Sequence, residues 1–479
     1  MDSFDLLVVG GGINGAAIAR DAAGRGLDVL LVEKDDLAAH TSSASSKLIH
    51  GGLRYLEQFE FALVRESLRE REILLRTAPH IVRPLEFVLP DAPGGRPFWL
   101  LRLGLILYDL LAGSRRPSRS RALRRVDPAL KPGFRLAAYW DAQVDDARLV
   151  VLNALDAAER GAEIATRTEL LAARRDGGVW RAELSGGRTV AARMIVNAAG
   201  PWVARVLRER LGVESRAGVR LVKGSHILVP RRWEGDHAYI LQQADGRVVF
   251  ALPYGGSALI GTTDVPVARP EDAVIAPDEV DYLCAAANAY FAEAVTPADV
   301  AWSYSGVRSL YDDGAAQAKD VTRDFRLELD GAPGPKLLSV FGGKITTARA
   351  LALAALDALG VGGFKFTATS PLPGGNVTAA FNDRLAALAA WLPPALVHRL
   401  AAAYGTRLET LLGDADSLAD LGRHFGAGLY EREVEYLIDT EFARTAEDVL
   451  WRRTRLGLAM SAREQTALAK WIADHPPSP

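Results

Sequence analysis

The stretch that decides the fold lies at residues 4–34 and reads FDLLVV-GGGING-AAIARDAAGRG-LDVLLVEK. Its apolar runs, its glycine turn and its Ala/Ile periodicity predict a strand, a turn, a helix and a second strand. Gly10, Gly12 and Gly15 match the G-x-G-x-x-G spacing, and Glu33 ends the second strand about twenty residues later. The whole unit, rather than the glycines alone, indicates a dinucleotide-binding site.

Each residue of this unit suits a dinucleotide for a physical reason. Gly10 permits the tight turn, Gly12 lets the backbone approach a pyrophosphate, and Gly15 allows the helix to pack closely on the strand. The start of the helix offers free N–H groups and a partial positive charge to phosphates. Glu33 can accept hydrogen bonds from both ribose hydroxyls and would repel a 2′-phosphate, so an NADP-type ligand is disfavoured.

NAD and FAD share this pattern, and two further segments favour FAD. Residues 41–52 (TSSASSKLIHGG) follow the second strand and are rich in hydroxyl groups and glycine, which suits an extended ligand. Residues 196–202 (VNAAGPW) end a strand in small residues that allow a second close backbone approach. The predicted cofactor is therefore FAD.

The composition excludes several classes of protein. The chain has 479 residues, is 49% hydrophobic and 24% charged, and carries a formal charge of −2. These values predict a folded protein of roughly two or three domains and give no reason to expect nucleic acid as a partner. The single cysteine, Cys284, excludes an internal disulfide framework, a local iron–sulfur cluster and a Cys-rich zinc site, and no metal is expected. Neither a secretory signal nor a membrane span is predicted, so the expected setting is cytoplasmic.

The remaining pattern predicts further regions. Short β-like runs between residues 217 and 266 indicate an antiparallel sheet inserted between pieces of the first domain. Residues 337–359 return to strand, glycine turn and helix, and SPLPGGN at 370–376 precedes a helix-rich end. The predicted division has FAD-binding parts at about 1–80, 140–215 and 300–370, substrate-domain parts at about 81–139 and 216–300, and, after this region of 1–375, a C-terminal helical domain at 376–479.

Eight segments resemble, in order, FAD-dependent glycerol-3-phosphate dehydrogenases. They are GGGINGAAIARDAAGRGL, TSSASSKLIHGGLRYLE, VDDARLV, NAAGPWV, VKGSHILVP, IGTTDV, YSGVRSL and SVFGGKITT, and the matches run from about residue 4 to residue 375. The C-terminal region matches only in its helical character. The resemblance implies a mixed α/β fold like that of D-amino-acid oxidase, with a Rossmann-like FAD-binding domain, an inserted antiparallel-sheet substrate domain and a C-terminal helical domain.

The resemblance also implies an activity, the oxidation of sn-glycerol 3-phosphate to dihydroxyacetone phosphate with hydride transfer from C2 to FAD. A phosphorylated alcohol needs fixed cations, and its oxidation needs a base for the hydroxyl proton. By the resemblance, Arg54 and Lys344 hold the phosphate, while Arg308 binds oxygens near the reacting carbon.

Other residues near these motifs keep two interpretations. His50 and His226 are both candidate bases because imidazole titrates near working pH, yet His50 could only contact the flavin and His226 could be a core residue. Tyr55 is a substrate contact or a packing residue, and Lys223 belongs to the same group of cations. The residues expected to contact FAD are Gly10, Gly12, Ile13, Asn14, Gly15, Glu33, Lys34, Thr41, Ser42, Ser43, Ser46, Lys47, Leu48, Ile49, Leu170, Ala199, Gly200, Trp202, Gly343, Lys344, Ile345 and Thr346.

Three segments carry weaker signals. Asp145, Asp146 and Arg148 lie in VDDARLV, and the resemblance makes them structural or supporting residues. Residues 262–264 (TTD) close a predicted strand, where they either anchor a loop or reach the active site. Ser309 stands where the resemblance leads one to expect Pro after SGVR, which removes a fixed φ angle but leaves the preceding guanidinium.

The electrons of reduced FAD need an acceptor. The resemblance implies a membrane quinone and a protein that lies on the cytoplasmic face of the inner membrane, and a homodimer is a further candidate assembly. The apolar stretch 99–111, followed by six arginines at 115–125, suits an anionic membrane surface or, alternatively, a buried helix with a basic loop. Alternative functions are an oxygen-using glycerol-3-phosphate oxidase, a dehydrogenase of another polyol phosphate such as erythritol 4-phosphate, and a non-catalytic flavin-binding scaffold or sensor.

Overall fold

The computed structural model describes residues 1–91, 97–113, 118–124, 127–214, 218–312, 325–331 and 334–475, without the side chain of Arg54. Within these ranges the chain forms two large β-sheets that meet at a central cavity, and a helical region follows them. The predicted mixed α/β class, with a largely antiparallel second sheet and a helical C-terminal region, is confirmed.

The strands and helices have the following bounds. The strands are β1 (Asp2–Val9), β2 (Val29–Val32), β3 (Leu48–Ile49), β4 (Val82–Pro90), β5 (Arg121–Leu123), β6 (Leu136–Val144), β7 (Glu163–Ala165), β8 (Leu170–Asp176), β9 (Val179–Leu184), β10 (Thr189–Asn197), β11 (Gly218–Pro230), β12 (Ala238–Gln242), β13 (Val248–Tyr254), β14 (Ser257–Gly261), β15 (Val265–Pro266), β16 (Trp302–Asp312), β17 (Arg326–Asp330), β18 (Lys336–Phe341), β19 (His424–Gly426) and β20 (Leu429–Tyr430). The helices are α1 (Ile13–Gly24), α2 (Phe61–Thr77), α3 (Phe98–Ala112), α4 (Asp146–Glu159), α5 (Val203–Glu209), α6 (Pro277–Asn288), α7 (Ala348–Leu359), α8 (Ala379–Leu388), α9 (Pro394–Tyr404), α10 (Leu408–Leu412), α11 (Glu431–Asp439) and α12 (Ala462–Asp474).

The first sheet grows from the glycine-turn unit. Its strand order is β17-β18-β10-β1-β2-β7, with parallel pairing from β18 through β7, and the β8–β9 hairpin extends it beside β10. Helices α1, α4 and α7 pack together on one face. A parallel sheet covered by helices needs strands that are apolar on both sides, which is why FDLLVV and VLLV are continuous apolar runs.

The second sheet carries the inserted part of the chain. Its order is β15-β11-β14-β13-β12-β4-β6-β3, with β16 paired to β11 and β5 to β6, and all pairs except β12–β4 are antiparallel. The domain prediction assigned residues from 300 onward to the FAD-binding part, whereas β16 pairs with β11 along its length. The alternation of apolar and polar residues along a strand does not reveal which sheet the strand joins. Here the partner strand lies about eighty residues earlier in the chain.

The helical C-terminal region has a core of its own, which includes Tyr404, Leu437 and Trp471. Buried ion pairs connect it to the first sheet. Arg148 at the start of α4 pairs with Glu441, and the side chains of both residues are 1% exposed. Arg148 also donates to the carbonyl oxygen of Ala403 at 3.1 Å. The structural interpretation of Arg148 therefore fits its position between the two regions.

The predicted apolar stretch at 99–111 forms helix α3. No helix within the described ranges is long and apolar enough to cross a bilayer. The arginine-rich segment 115–125 falls partly outside the described residues, which omit 114–117 and 125–126.

Replacing Arg148 with Met should lower the free energy of unfolding by about 3–5 kcal/mol, because it leaves the buried Glu441 carboxylate without its cation. Denaturant unfolding of the full chain measures this change. Arg193→Met is the matched control, since Arg193 is 72% exposed and its pair with Asp5 is worth about 0–1 kcal/mol. Equal midpoints for the two variants would contradict the role given to the buried pair.

Candidate active site

A cavity of about 1700 Å³ lies between the two sheets, at the carboxyl ends of β1, β10 and β18. Ligands bind at this edge of an open α/β sheet because strand ends and helix N-termini present free backbone groups there. The second sheet contributes the opposite wall, including Ile240, Phe250 and Arg308. A cavity of this size exceeds the roughly 300–1,000 Å³ of ordinary small-molecule sites and suits an extended cofactor together with a small substrate.

The turn between β1 and α1 is shaped by contacts that no side chain would allow. Gly10 has a φ of +113°, and a Cβ there would lie 2.6 Å from the carbonyl oxygen of Ala198. A Cβ at Gly15 would overlap the carbonyl oxygen of Gly10. The start of α1 faces the cavity, where the Ile13 N–H donates to the Ser42 hydroxyl at 3.0 Å. Backbone N–H groups at such a helix start suit a pyrophosphate.

Glu33 lies on the cavity wall just after β2 and is almost fully buried. Its carboxylate accepts hydrogen bonds from the backbone N–H groups of Gly11 at 2.7 Å and Asp35 at 2.9 Å. Burial raises the pKa of Glu33 above its ordinary value. Each carboxylate oxygen can accept more than one hydrogen bond, so Glu33 fits the ribose-binding role that the sequence predicts.

Two buried polar atoms at the cavity have no hydrogen-bond partner among the described residues. They are Oδ1 of Asn14 and Nζ of Lys344. Buried polar groups are nearly always paired, so unpaired groups that line a cavity indicate a ligand. Together with the glycine turn and Glu33, these atoms fit FAD, with the start of α1 as the pyrophosphate site and Glu33 as the ribose site.

Most residues predicted to contact FAD lie on the cavity wall, although they come from distant parts of the chain. Gly15 lies just behind the turn, where it permits the close packing of α1. The structure places most of the other predicted residues around one cavity, and their contact with FAD stays a prediction. The predicted residues on the wall are Gly10, Gly12, Ile13, Asn14, Glu33, Lys34, Thr41, Ser42, Ser46, Leu170, Ala199, Gly200, Trp202, Gly343, Lys344 and Ile345.

Besides Gly15, five predicted FAD contacts do not reach this wall: Ser43, Lys47, Leu48, Ile49 and Thr346. Leu48 and Ile49 form β3, and their apolar side chains are buried where β3 pairs with β6. Lys47 has a φ of +58°, and its side chain is buried on the opposite face of the loop, which Ser43 shares. Thr346 is buried, and its hydroxyl accepts a hydrogen bond from the backbone N–H of His50 at 3.4 Å.

Of the two candidate bases, His50 is the one that lies on the cavity wall. Its ring centre is 6.2 Å from that of Phe250. Burial lowers the pKa of His50, and the positive charge of Lys344 lowers it further. The imidazole is therefore neutral at neutral pH, which is the state in which it can accept a proton.

His226 lies behind the wall instead. It is 3% exposed, and its ring stacks on Tyr304 with the ring centres 4.8 Å apart. Its Nε2 pairs with the Ser46 hydroxyl at 3.0 Å, so it reaches the cavity only through that hydroxyl. Burial lowers the pKa of His226, and the charges of Lys47 and Arg308 add to the shift. The position fits the alternative of a hydrogen-bonded core histidine.

Arg308 reaches the cavity from β16. Its guanidinium donates to the Thr262 hydroxyl at 3.2 Å and to the Thr263 carbonyl at 3.3 Å, and it pairs with Asp264. Thr262 and Asp264 line the cavity, whereas Thr263 is buried. Residues 262–264 therefore do both things considered from the sequence, since they anchor a loop and reach the site.

The remaining predicted cations differ in where they point. Lys344 Nζ lies 4.1 Å from the centre of the Tyr55 ring, and both residues line the cavity. The side chain of Arg54 lies outside the described residues. Lys223 does not join this group, because its Nζ pairs with the buried Glu279 carboxylate at 2.7 Å and does not reach the cavity wall. A lysine inside an apolar strand needs such a partner to be buried at all.

Sequence reasoning missed the part of the wall that comes from the second sheet. Tyr139, Ile240 and Phe250 line the cavity, and so does the turn between β12 and β13. These residues carry no motif, since their alternation is that of any antiparallel strand. Only the pairing of β12 with β13 and β4, and of β4 with β6, brings them to the site.

Comparisons with known proteins agree with this geometry. Residues 5–349 match the FAD dependent oxidoreductase family, and residues 365–474 match the C-terminal domain of alpha-glycerophosphate oxidase. A glycerol-3-phosphate dehydrogenase of Pseudomonas aeruginosa is 50% identical over 99% of this chain and 96% of its own. A D-erythritol 1-phosphate dehydrogenase of Brucella abortus is 49% identical over 98% of both chains. The X-ray structure of a Bacillus halodurans glycerol-3-phosphate dehydrogenase complexed with FAD has a TM-score of 0.76 and 26% identity, and the match covers 99% of this chain and 90% of that one.

Replacing Gly15 with Ala should abolish retention of FAD, because the new methyl group would overlap the Gly10 carbonyl and displace α1 from the turn. The flavin absorbance of the purified protein, relative to its protein absorbance, measures the loss. Gly104→Ala in α3 is the control, since a Cβ there meets nothing within 4 Å, and this variant should keep its flavin. A flavin-loaded Gly15→Ala protein would contradict the packing argument.

Proposed function

The chain belongs to the FAD-dependent oxidoreductase family, and from this premise we propose that it oxidises sn-glycerol 3-phosphate to dihydroxyacetone phosphate. The observation that carries the proposal is the presence of Lys344, Arg308 and His50 on the wall of the same cavity as the dinucleotide turn. Relatives named glycerol-3-phosphate dehydrogenase, at 50% and 45% identity, support the choice of substrate.

The residues of this chain have separate tasks in the proposed reaction. Bound FAD supplies the acceptor for the hydride that leaves C2 of the substrate. Lys344 binds the phosphate, because its buried ammonium has no hydrogen-bond acceptor among the described residues. Arg54 shares this task. Arg308 has further N–H donors for the oxygens near C2, and its bonds to the 262–264 segment hold the guanidinium in place.

His50 takes the proton of the C2 hydroxyl in this proposal. It is favoured over His226 because it lies on the cavity wall, whereas His226 is separated from the cavity by Ser46. His226 then supports the site by holding the Ser46 hydroxyl. The low pKa of His50 keeps the base unprotonated before the substrate binds.

A second substrate has support from one relative. The Brucella abortus enzyme, named for D-erythritol 1-phosphate, is as similar to this chain as the glycerol-3-phosphate dehydrogenases are. Both substrates offer a phosphate and a neighbouring secondary alcohol, so the same cations and base serve both. Comparing kcat/KM for the two compounds decides between them, since one extra carbon unit in a fitted cavity changes kcat/KM by about 10–200-fold.

For the electrons we propose a quinone at a membrane surface, on the basis of helix α3. Trp99, Leu103, Ile106 and Leu110 share one face of this helix and are 46–69% exposed. Phe59 is also exposed, directly after a short 3-10 helix (Leu53–Gln58) that contacts α3. Exposed apolar side chains in a row of this kind insert into the boundary of a bilayer, and the exposed arginines 119, 121 and 124 favour anionic lipids. The proposed location is the cytoplasmic face of the inner membrane.

Anaerobic flavin absorbance tests the proposed reaction. Adding sn-glycerol 3-phosphate should bleach the flavin. At saturating substrate the rate should stay level at neutral pH and fall on the acid side, with a midpoint below the ordinary histidine value of about 6.5, because only neutral His50 accepts the proton. His50→Gln should slow bleaching by about 10²–10⁴-fold and remove this acid dependence while FAD stays bound.

The same experiment contains its contradicting outcomes. Wild-type protein that holds FAD but is not bleached would exclude sn-glycerol 3-phosphate as the substrate and favour D-erythritol 1-phosphate. A normal rate in His50→Gln would exclude His50 as the base, and a slow rate in His226→Gln would then assign the role to His226.

Co-sedimentation with anionic vesicles tests the membrane proposal. Leu103→Asp combined with Leu110→Asp should weaken binding by about tenfold or more, because two carboxylates would enter the apolar boundary. Phe364→Asp is the control, since Phe364 is 79% exposed but lies outside this face. Quinone in the vesicles should reoxidise the reduced flavin faster than air does. Rapid reoxidation by air with peroxide formation would instead make the protein an oxidase.

A further inference from the structure

The segment 41–50 has two faces, and only one of them belongs to the site described above. Ser42, Ser46 and His50 face the main cavity. Ser43 and Lys47 line a second cavity of about 310 Å³ between this segment and the C-terminal region. The contacts on the second face therefore determine where the serines and His50 stand against a bound cofactor.

Asp146, the first residue of α4, is fully buried and holds this second face. Its Oδ2 accepts hydrogen bonds from the Ser45 hydroxyl and from the Lys47 ammonium, each at 2.7 Å. The same ammonium donates to Asp146 Oδ1 at 2.9 Å and to the Ser43 carbonyl at 2.6 Å. Ser45 and Lys47 are thus tied to one carboxylate at the N-terminus of a helix, where the helix dipole favours negative charge, and Ser43 is tied to it through Lys47.

Arg455 of the C-terminal region completes this cluster. It donates to Asp145 Oδ1 at 2.6 Å and to Asp146 Oδ1 at 2.8 Å. Two carboxylates, Asp145 and Asp146, then face two cations, Lys47 and Arg455, so the charges balance only while the C-terminal region is in place. Removing one member of a buried ion pair leaves an uncompensated charge, which the surroundings relieve by moving or by admitting water.

The same short stretch of the C-terminal region also contacts the chain ahead of this segment. Arg453 is almost fully buried and donates to the two oxygens of Asp36 at 2.7 and 2.8 Å, and Arg452 donates to Asp36 at 2.6 Å. Asp36 follows Glu33 by three residues. Residues 452–455 therefore hold the backbone on both sides of the hydroxyl groups that face the cofactor cavity.

We propose that Arg455, acting through Asp146, positions segment 41–50 against bound FAD, so that the C-terminal region sets the geometry of the flavin site. Both are positioning residues, since neither lines the main cavity. The inference rests on the proposed function only for its kinetic consequence. Its structural part concerns FAD alone.

Arg455→Met in the full-length, FAD-loaded protein tests the inference. Methionine keeps an apolar stem and removes the charge. After dilution, this variant should release FAD about tenfold faster than the wild-type protein, as expected for the loss of a charge-assisted hydrogen bond. Flavin fluorescence measures the release. The visible circular dichroism of the bound flavin should change. The rate of flavin reduction should fall more than the KM for substrate rises, and Arg455→Lys should recover part of each effect.

Arg399→Met is the matched control. Arg399 pairs with the buried Glu433 at 2.6 Å within the same C-terminal region and does not reach either cavity. This variant should lower the Tm but leave FAD release and the flavin spectrum unchanged. If Arg455→Met does not fold, Asp145→Asn keeps the side-chain shape and an oxygen that can still accept from the Arg148 N–H at the start of α4. It removes the charge that faces Arg455 and should give a smaller change in the same direction.

An unchanged flavin spectrum and an unchanged FAD release rate in Arg455→Met, or in Asp145→Asn where that variant takes its place, would overturn the inference. The role of Arg455 would then be structural only, like that of Arg399. Failure of the wild-type protein to react with sn-glycerol 3-phosphate would count against the proposed function instead, because neither FAD release nor the flavin spectrum requires the substrate.

Discussion

The contact between helix α1 and the turn that precedes it is the constraint on which the rest of the structure depends. Gly15 lies so close to the Gly10 carbonyl that no side chain fits between them, and Gly10 in turn touches the end of β10 at Ala198. These approaches bring the ends of two parallel strands and the start of a helix to one edge of the sheet. The free N–H groups of the helix start then face the cavity, and groups as distant in sequence as Glu33 and Lys344 are arranged around that edge.

The treatment of buried charge separates the site from the rest of the interior. Elsewhere, buried cations have carboxylate partners, as Lys47 has Asp146 and Lys223 has Glu279. The ammonium of Lys344 lies at the cavity with a tyrosine ring beneath it and without a hydrogen-bond acceptor among the described residues. Leaving a buried cation in this state costs free energy that a bound phosphate would offset.

The C-terminal region forms buried ion pairs with the part of the chain that surrounds the cofactor cavity. Its arginines pair with Asp36, which precedes the segment that carries the cofactor-facing hydroxyls, and with Asp146, which binds Ser45 and Lys47 of that segment. Ion pairs of this kind are geometrically demanding, because both members lose their hydration and must satisfy each other. They therefore favour one arrangement of that segment over its alternatives, although none of the described residues of the C-terminal region lines the main cavity.

The sequence by itself determined the elements that depend on near neighbours: the unit from β1 to β2, and the strand, glycine turn and helix at 337–359. Steric limits on glycine turns and apolar periodicity act over a few residues, so they can be read directly. Only the tertiary structure decided that Ser46 faces the cavity while Lys47 turns away and His226 lies behind it. Those outcomes depend on partners 99 residues from Lys47 and 180 residues from Ser46, and a local pattern contains no information about contacts at that distance.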